Sequence, residues 1–136
     1  MVLVLGSVLL FALAATCTAH LRFAAHAAAH ARARALAESA VAQVLVLVSR
    51  EPEYGRAGTE TVRIPGLPDG QRGLVTFDET LASRENVAYS TSNVQAEGEV
   101  ALGESLKGFR KRPVPPGCVH VVGFGQCGSQ AARAAS

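Results

Sequence analysis

The first 19 residues, MVLVLGSVLLFALAATCTA, carry no charged side chain, and every Lys, Arg, Asp and Glu of the chain follows them. A run of that length matches one helical crossing of a bilayer core, about 20 residues. It exceeds the usual apolar centre of a signal peptide, about 7 to 15 residues. A helix satisfies its own backbone groups, so this composition dissolves in lipid at little cost. A buried helix of a soluble protein usually shows a polar stripe, and none is visible here. The expected span is carried by Val2, Leu5, Leu9, Phe11 and Leu13.

Two fates of this run fit the residues. One is a retained anchor. The other is a signal sequence cleaved after Ala12-Leu13-Ala14 or Cys17-Thr18-Ala19, where small residues flank a spacer. No basic residue precedes the run, since the first is Arg22. Charge leaves the orientation open. Arg22, Arg32 and Arg34 would sit in the cytoplasm by the positive-inside rule, against an exported C-terminal region. Two explanations are open: the rule fails here, or the native start lies upstream of Met1.

Residues 20–50 read HLRFAAHAAAHARARALAESAVAQVLVLVSR, with no Pro or Gly. Alanine is the best helix former, so one helix is expected from the apolar run to Arg50. Pro52 lacks an amide hydrogen and restricts Glu51, which stops it. Leu36, Ala40, Val44 and Val48, four apart, are the expected packing face. Val44 to Val48 is apolar all round and requires cover from the head or a neighbour. His20, His26 and His30 have a spacing that a metal ion could use, but no acidic or Cys ligand stands beside them. No metal or cofactor is expected.

After Arg50 the composition shifts to Gly, Pro and short β-like runs. Strands are expected at Thr61–Ile64, Gly73–Phe77, Asn86–Ser90, Glu99–Leu102 and, with the clearest signal, Cys118–Phe124. Turns are expected over Pro65–Gly70. The fold class is therefore α+β: a long N-terminal apolar and amphipathic helix over 1–50, then a small β-rich exported domain over 51–136 with a flexible C-terminal tail. So small a core often needs a staple. Cys118 and Cys127 bracket VHVVGFGQ, Gly123, Gly125 and Gly128 allow the chain to fold back, and a disulfide between the two cysteines is expected after export. Reduced thiols are the alternative.

Nothing in the head reads as catalytic. His120 and Cys118 share one side of an alternating strand without a third group to orient them. Asp78 and Glu79 are adjacent and would point apart in a strand. Lys107-Gly108-Phe109-Arg110-Lys111-Arg112 is the one dense basic cluster, but 13 basic against 11 acidic side chains leave a net charge of +2, too weak for nucleic-acid binding. No small-molecule substrate is evident.

An apolar N-terminal helix, an Ala-rich extension and a small β-rich head resemble the type IV pilin-like proteins, especially the minor-pilin and pilus-assembly group. The local match is Ala31 to Val48, with Leu36-Ala37-Glu38-Ser39-Ala40 in the place of the family's segment before the head. The chain departs from the family at its processing site. Gly6 is the one Gly in the apolar run, no basic leader precedes it, and no Glu follows until Glu38. The resemblance implies a structural or assembly subunit of a filament. It would sit in a bacterial inner membrane with a periplasmic or extracellular head, and its partners would be the bilayer, like subunits and other assembly proteins. The alternative from a different class is a secreted or envelope binding module released by signal cleavage.

Overall fold

The structure is a computed structural model and describes residues 2–93, 100–101, 113–115 and 117–136. The first element, α1 (Val2–Arg50), is one unbroken helix of 49 residues, about 73 Å long at 1.5 Å per residue. Its polar side chains in the apolar half bond back to the helix: Ser7 Oγ to Val4 O at 2.9 Å, Thr16 Oγ1 to Ala12 O and Thr18 Oγ1 to Ala14 O at 2.8 Å. No hydroxyl there is left without a partner. The helix ends as expected before Pro52. The Glu51 amide donates to Leu47 O at 2.8 Å, and turns follow.

The head is α+β. Strands β1 (Thr61–Arg63) and β2 (Gln71–Thr76) are followed by a short helix, α2 (Glu79–Glu85), then β3 (Thr91–Ser92), β4 (Val100–Ala101), β5 (Pro113–Val114), β6 (Val119–His120), β7 (Val122–Cys127) and β8 (Gln130–Ala135). The main sheet is antiparallel with order β1-β2-β7-β8. Two small ladders pair β3 with β6 and β4 with β5. The Asn86–Ser90 stretch, expected as a strand, begins instead as a cap: Asn86 takes the left-handed conformation, φ 54°, and closes α2. Asp78 is the N-cap, accepting from the Thr80 and Leu81 amides at 2.8 and 3.1 Å. The basic cluster Lys107–Arg112 lies outside the described residues.

α1 lies along one face of the main sheet and α2 along the other. On the α1 side the core is Ala40, Val41, Val44, Val75, Phe77 and Val121. On the α2 side Leu74, Ala82 and Val87 pack with Tyr89 and Phe124. Three strand glycines set the distance between helix and sheet. A Cβ at Gly125 would overlap the Ala33 carbonyl oxygen, one at Gly123 the Ala37 carbonyl oxygen, and one at Gly73 would stand 3.0 Å from Leu36 O and 2.6 Å from Ile64 Cδ1. Backbone therefore meets backbone where Ala33 and Ala37, both fully buried, face Gly125 and Gly123.

Two expectations need correction. Cys118 and Cys127 are not paired: both are free, Cys118 exposed and Cys127 half-buried. Gly123 and Gly125 do not reverse the chain. They lie inside β7, and residues 119–127 run forward through β6 and β7, a path of about 30 Å at strand rise. Of the three glycines expected to let the chain fold back, Gly128, φ 60°, is the one at the reversal, after Cys127 has passed. The C-terminal residues, expected as a flexible tail, form β8, which completes the sheet and covers the β7 edge.

Candidate membrane span and helix–head interface

The two halves of α1 have opposite environments. Val2, Leu5, Leu9, Phe11 and Leu13 are 61–85% exposed, and Leu21 and Phe23 are exposed beyond them. Contiguous apolar surface of this extent marks an interaction with lipid or protein. Among the described residues α1 is the one helix long and apolar enough to cross a membrane, and none of its apolar window is buried.

From Ala33 onward the same helix belongs to the head. Ala40 and Val44 are fully buried, while Leu36 and Val48 are half-buried. The sequence reading missed Ala33, Ala37 and Val41, which are 0, 0 and 7% exposed. A strict spacing of four drifts around a helix by about 40° per step, because 3.6 residues make a turn. The buried residues Ala33, Ala37, Ala40, Val41 and Val44, with half-buried Val48 beyond them, follow threes and fours and stay on one face. The alternating glycines of β7 were the complementary signal. They read as turn formers, but every second residue on one strand face had been left without a side chain, as close backbone approach demands. Leu45 and Val46 point away from the head and remain 43 and 50% exposed, so the head covers only part of the apolar Val44–Val48 segment.

β7 runs antiparallel to α1, since Gly125 meets Ala33 and Gly123 meets Ala37. Two strand residues span about 6.6 Å and four helix residues about 6.0 Å, so the two axes are nearly aligned. The β7–β8 hairpin thus points back toward the apolar half of α1. There Gln130 Nε2 lies 3.4 Å from His26 Nδ1.

The other face of the sheet carries a polar network. Glu85 accepts from Arg63 Nη2 at 2.5 Å and from Arg72 Nη1 at 3.2 Å. Arg72 also donates through Nε to Gln126 Oε1 at 2.6 Å and stacks over Phe124, 5.1 Å from the ring centre. The Arg63 hydrogen bond, with the charges of Arg63, Arg72 and Arg84, holds the Glu85 carboxyl below the usual carboxylate range despite partial burial. An open groove of about 980 Å³ runs along β8, walled by His30, Arg34 and Glu38 of α1 on one side and by Arg72, Glu85 and Phe124 on the other.

The sequence candidates for chemistry do not converge. His120 is half-buried opposite Thr91, and burial pushes its imidazole below the usual range, whereas Cys118 is exposed. Among the described residues no three His, Cys, Asp or Glu side chains come together as a metal site. Comparison with protein-family models, with characterised proteins and with solved structures gives no match. The architecture itself, a long apolar N-terminal helix followed by a small β-sheet head, is the coarse type IV pilin-like arrangement.

Proposed function

We propose that this chain is a membrane-anchored structural or assembly subunit of a type IV pilus-like or secretion-related filament, without catalytic activity. The observation that carries the reading is the division of labour along one rigid helix. Residues 2–19 expose an uncharged, largely apolar surface, and residues 33–48 form the spine of the head. The close Ala–Gly contacts fix the head to the helix, so a force or position imposed on the anchor reaches the head without a hinge. The bilayer is the first partner, with the anchor in the inner membrane and the head in the periplasm or at the filament surface. Like subunits and other assembly proteins are the next partners.

A second reading, a secreted or envelope binding module, is favoured by one observation. Cleavage after Ala14 or Ala19 would leave every residue of the helix–head interface in the released chain, because the first buried position is Ala33. Alkaline carbonate extraction of membranes from expressing cells, followed by the intact mass of the recovered chain, decides between them. The anchored subunit stays in the pellet with the apolar run attached. Recovery in the supernatant with a mass starting at Ala15 or His20 establishes the released module instead, and full-length protein in the supernatant refutes both.

A further inference from the structure

Among the described residues the main sheet has two open edges, and their hydrogen-bonding phase follows from the register. Val121 and Ser136 exchange both main-chain bonds, at 2.8 and 2.9 Å. Gln130, Ala132 and Ala134 therefore bond inward to β7. The amides and carbonyls of Ala131, Arg133 and Ala135 point outward along the groove, and all three residues are exposed. At the other edge the Phe77 amide donates to Glu60 O at 2.8 Å and the Ile64 amide to Gly73 O at 2.9 Å. Val62 thus faces β2, and Thr61 and Arg63 turn their main-chain groups outward. Among the described residues no main-chain partner meets either outward set. β8 carries one charge, Arg133, between alanines, and lacks the bulge, proline or charge density that usually blunts an edge.

Strand direction selects the occupant. β8 runs parallel to α1, because it is antiparallel to β7; β1 runs antiparallel to α1, two strands away on the other side. The inference rests on the membrane-anchored reading, which gives neighbouring copies one common orientation. Between co-oriented copies, β8 with β8 and β1 with β1 are parallel, and only β8 with β1 is antiparallel. We propose that the heads join edge to edge, β8 of one copy pairing antiparallel with β1 of the next, so that the four-stranded sheets continue through the assembly.

The matching register sets Arg133 opposite Thr61 and Ala131 opposite Arg63 of the neighbouring copy. Both pairs use outward-pointing groups at the same two-residue spacing, and each exchanges two main-chain bonds. The side chains agree in facing. Arg133 is registered with Phe124 and Arg63 with Leu74, both on the face away from α1. The long helices therefore stay on one side of the joined sheet. Arg63 is already paired with Glu85, a carboxylate it shares with Arg72. The contact is heterologous, the type that builds an open filament wherever its rotation does not close a ring.

The test uses the full chain with Cys17→Ala, Cys118→Ala and Cys127→Ala, reconstituted in phosphatidylethanolamine–phosphatidylglycerol vesicles and floated on a density gradient. Thr61→Cys with Arg133→Cys, oxidised in the floated vesicles, is expected to give a ladder of dimers, trimers and larger species, and neither single cysteine to pass beyond a dimer. Protein that floats but gives no ladder overturns the edge pairing and leaves the anchor standing; protein that does not float overturns both. Full dimerisation of Arg133→Cys alone overturns the pairing in favour of a β8–β8 contact. In the chain without introduced cysteines, Arg133→Pro removes an outward amide that β7 does not use. Chemical cross-linking of that variant is expected to lose the larger species while its head unfolds at an unchanged urea concentration; retention of those species overturns the proposal.

Discussion

Replacement of Gly125 by Ala tests the helix–head contact with a single methyl group. The new Cβ would overlap the Ala33 carbonyl oxygen and lie 2.7 Å from the Ala37 amide nitrogen. Both obstacles are main chain, so no side-chain rotamer relieves them, and a further Ala33→Gly change leaves the clash in place. The helix must lift from the sheet. Overpacking of this kind costs about 1–3 kcal/mol. Lifting also loosens Val41 and Val44, whose burial is worth about 1.5–3 kcal/mol each. A loss of about 3 kcal/mol is therefore expected, a large share of the roughly 5–15 kcal/mol that holds a domain together. Urea unfolding of the full chain in mild detergent, read by tyrosine fluorescence, isolates the effect. The protein has no Trp, and its two tyrosines, Tyr54 and Tyr89, both lie in the head. Gly6→Ala is the control, since a Cβ there meets nothing within 4 Å. If Gly125→Ala unfolds at the same urea concentration as Gly6→Ala, the backbone-to-backbone contact is not what joins helix and head.

The two sides of the outer helix should respond differently to charge. Val44→Asp places an unpaired carboxylate at a fully buried site and should cost at least about 3 kcal/mol in the same unfolding measurement, whereas Val46→Asp, half exposed, should stay within about 0.5 kcal/mol. Glu85 gives a pH signature. Its folded carboxyl is held below the usual range, mainly by the Arg63 hydrogen bond. The unfolded state therefore takes up the proton first as pH falls. The stabilisation is present above the ordinary carboxylate range and is lost as pH drops through the folded value. Glu85→Gln should be less stable at neutral pH and should show a flatter acid limb in urea midpoint against pH; superimposable curves would refute the role of the Arg63–Glu85–Arg72 network.

Much of the fold was legible from local chemistry. The helix end at Pro52, β1, β2 and the Val122–Phe124 core of β7 follow from propensity and alternation, which act within a few residues. What failed to read depended on partners distant in sequence. QAARAA has the composition of a helix or a tail, and it becomes β8 because β7 presents an edge and because Ala132 and Ala134, registered with Gly125 and Gly123, put small side chains on the face that meets α1. Seven residues of α2 are too few for periodicity to show, although its caps, Asp78 and Asn86, were present in the sequence. The glycines of β7 supported a false disulfide because a glycine permits both a turn and a close approach, and only the position of α1 distinguishes the two uses. For the candidate site the legibility was reversed. The apolar span was plain from composition, while the buried face of the outer helix was legible only in part: a spacing of four finds Ala40 and Val44 and passes over Ala33, Ala37 and Val41, because the helix follows threes and fours.

The three free thiols allow the most direct test of the central claim, that one continuous helix carries an apolar anchor at one end and the head's core at the other. Cys17 lies in the apolar run and is exposed in the isolated chain, as is Cys118 in the head. In vesicles opened by freeze–thaw, a charged maleimide reaches water on both sides of the bilayer. Peptide mass mapping after a short pulse should then find Cys118 modified and Cys17 untouched, with Cys17 reacting only once the vesicles are dissolved in denaturant. Modification of Cys17 at the same rate as Cys118 in intact bilayers would contradict the anchored helix and the function built on it.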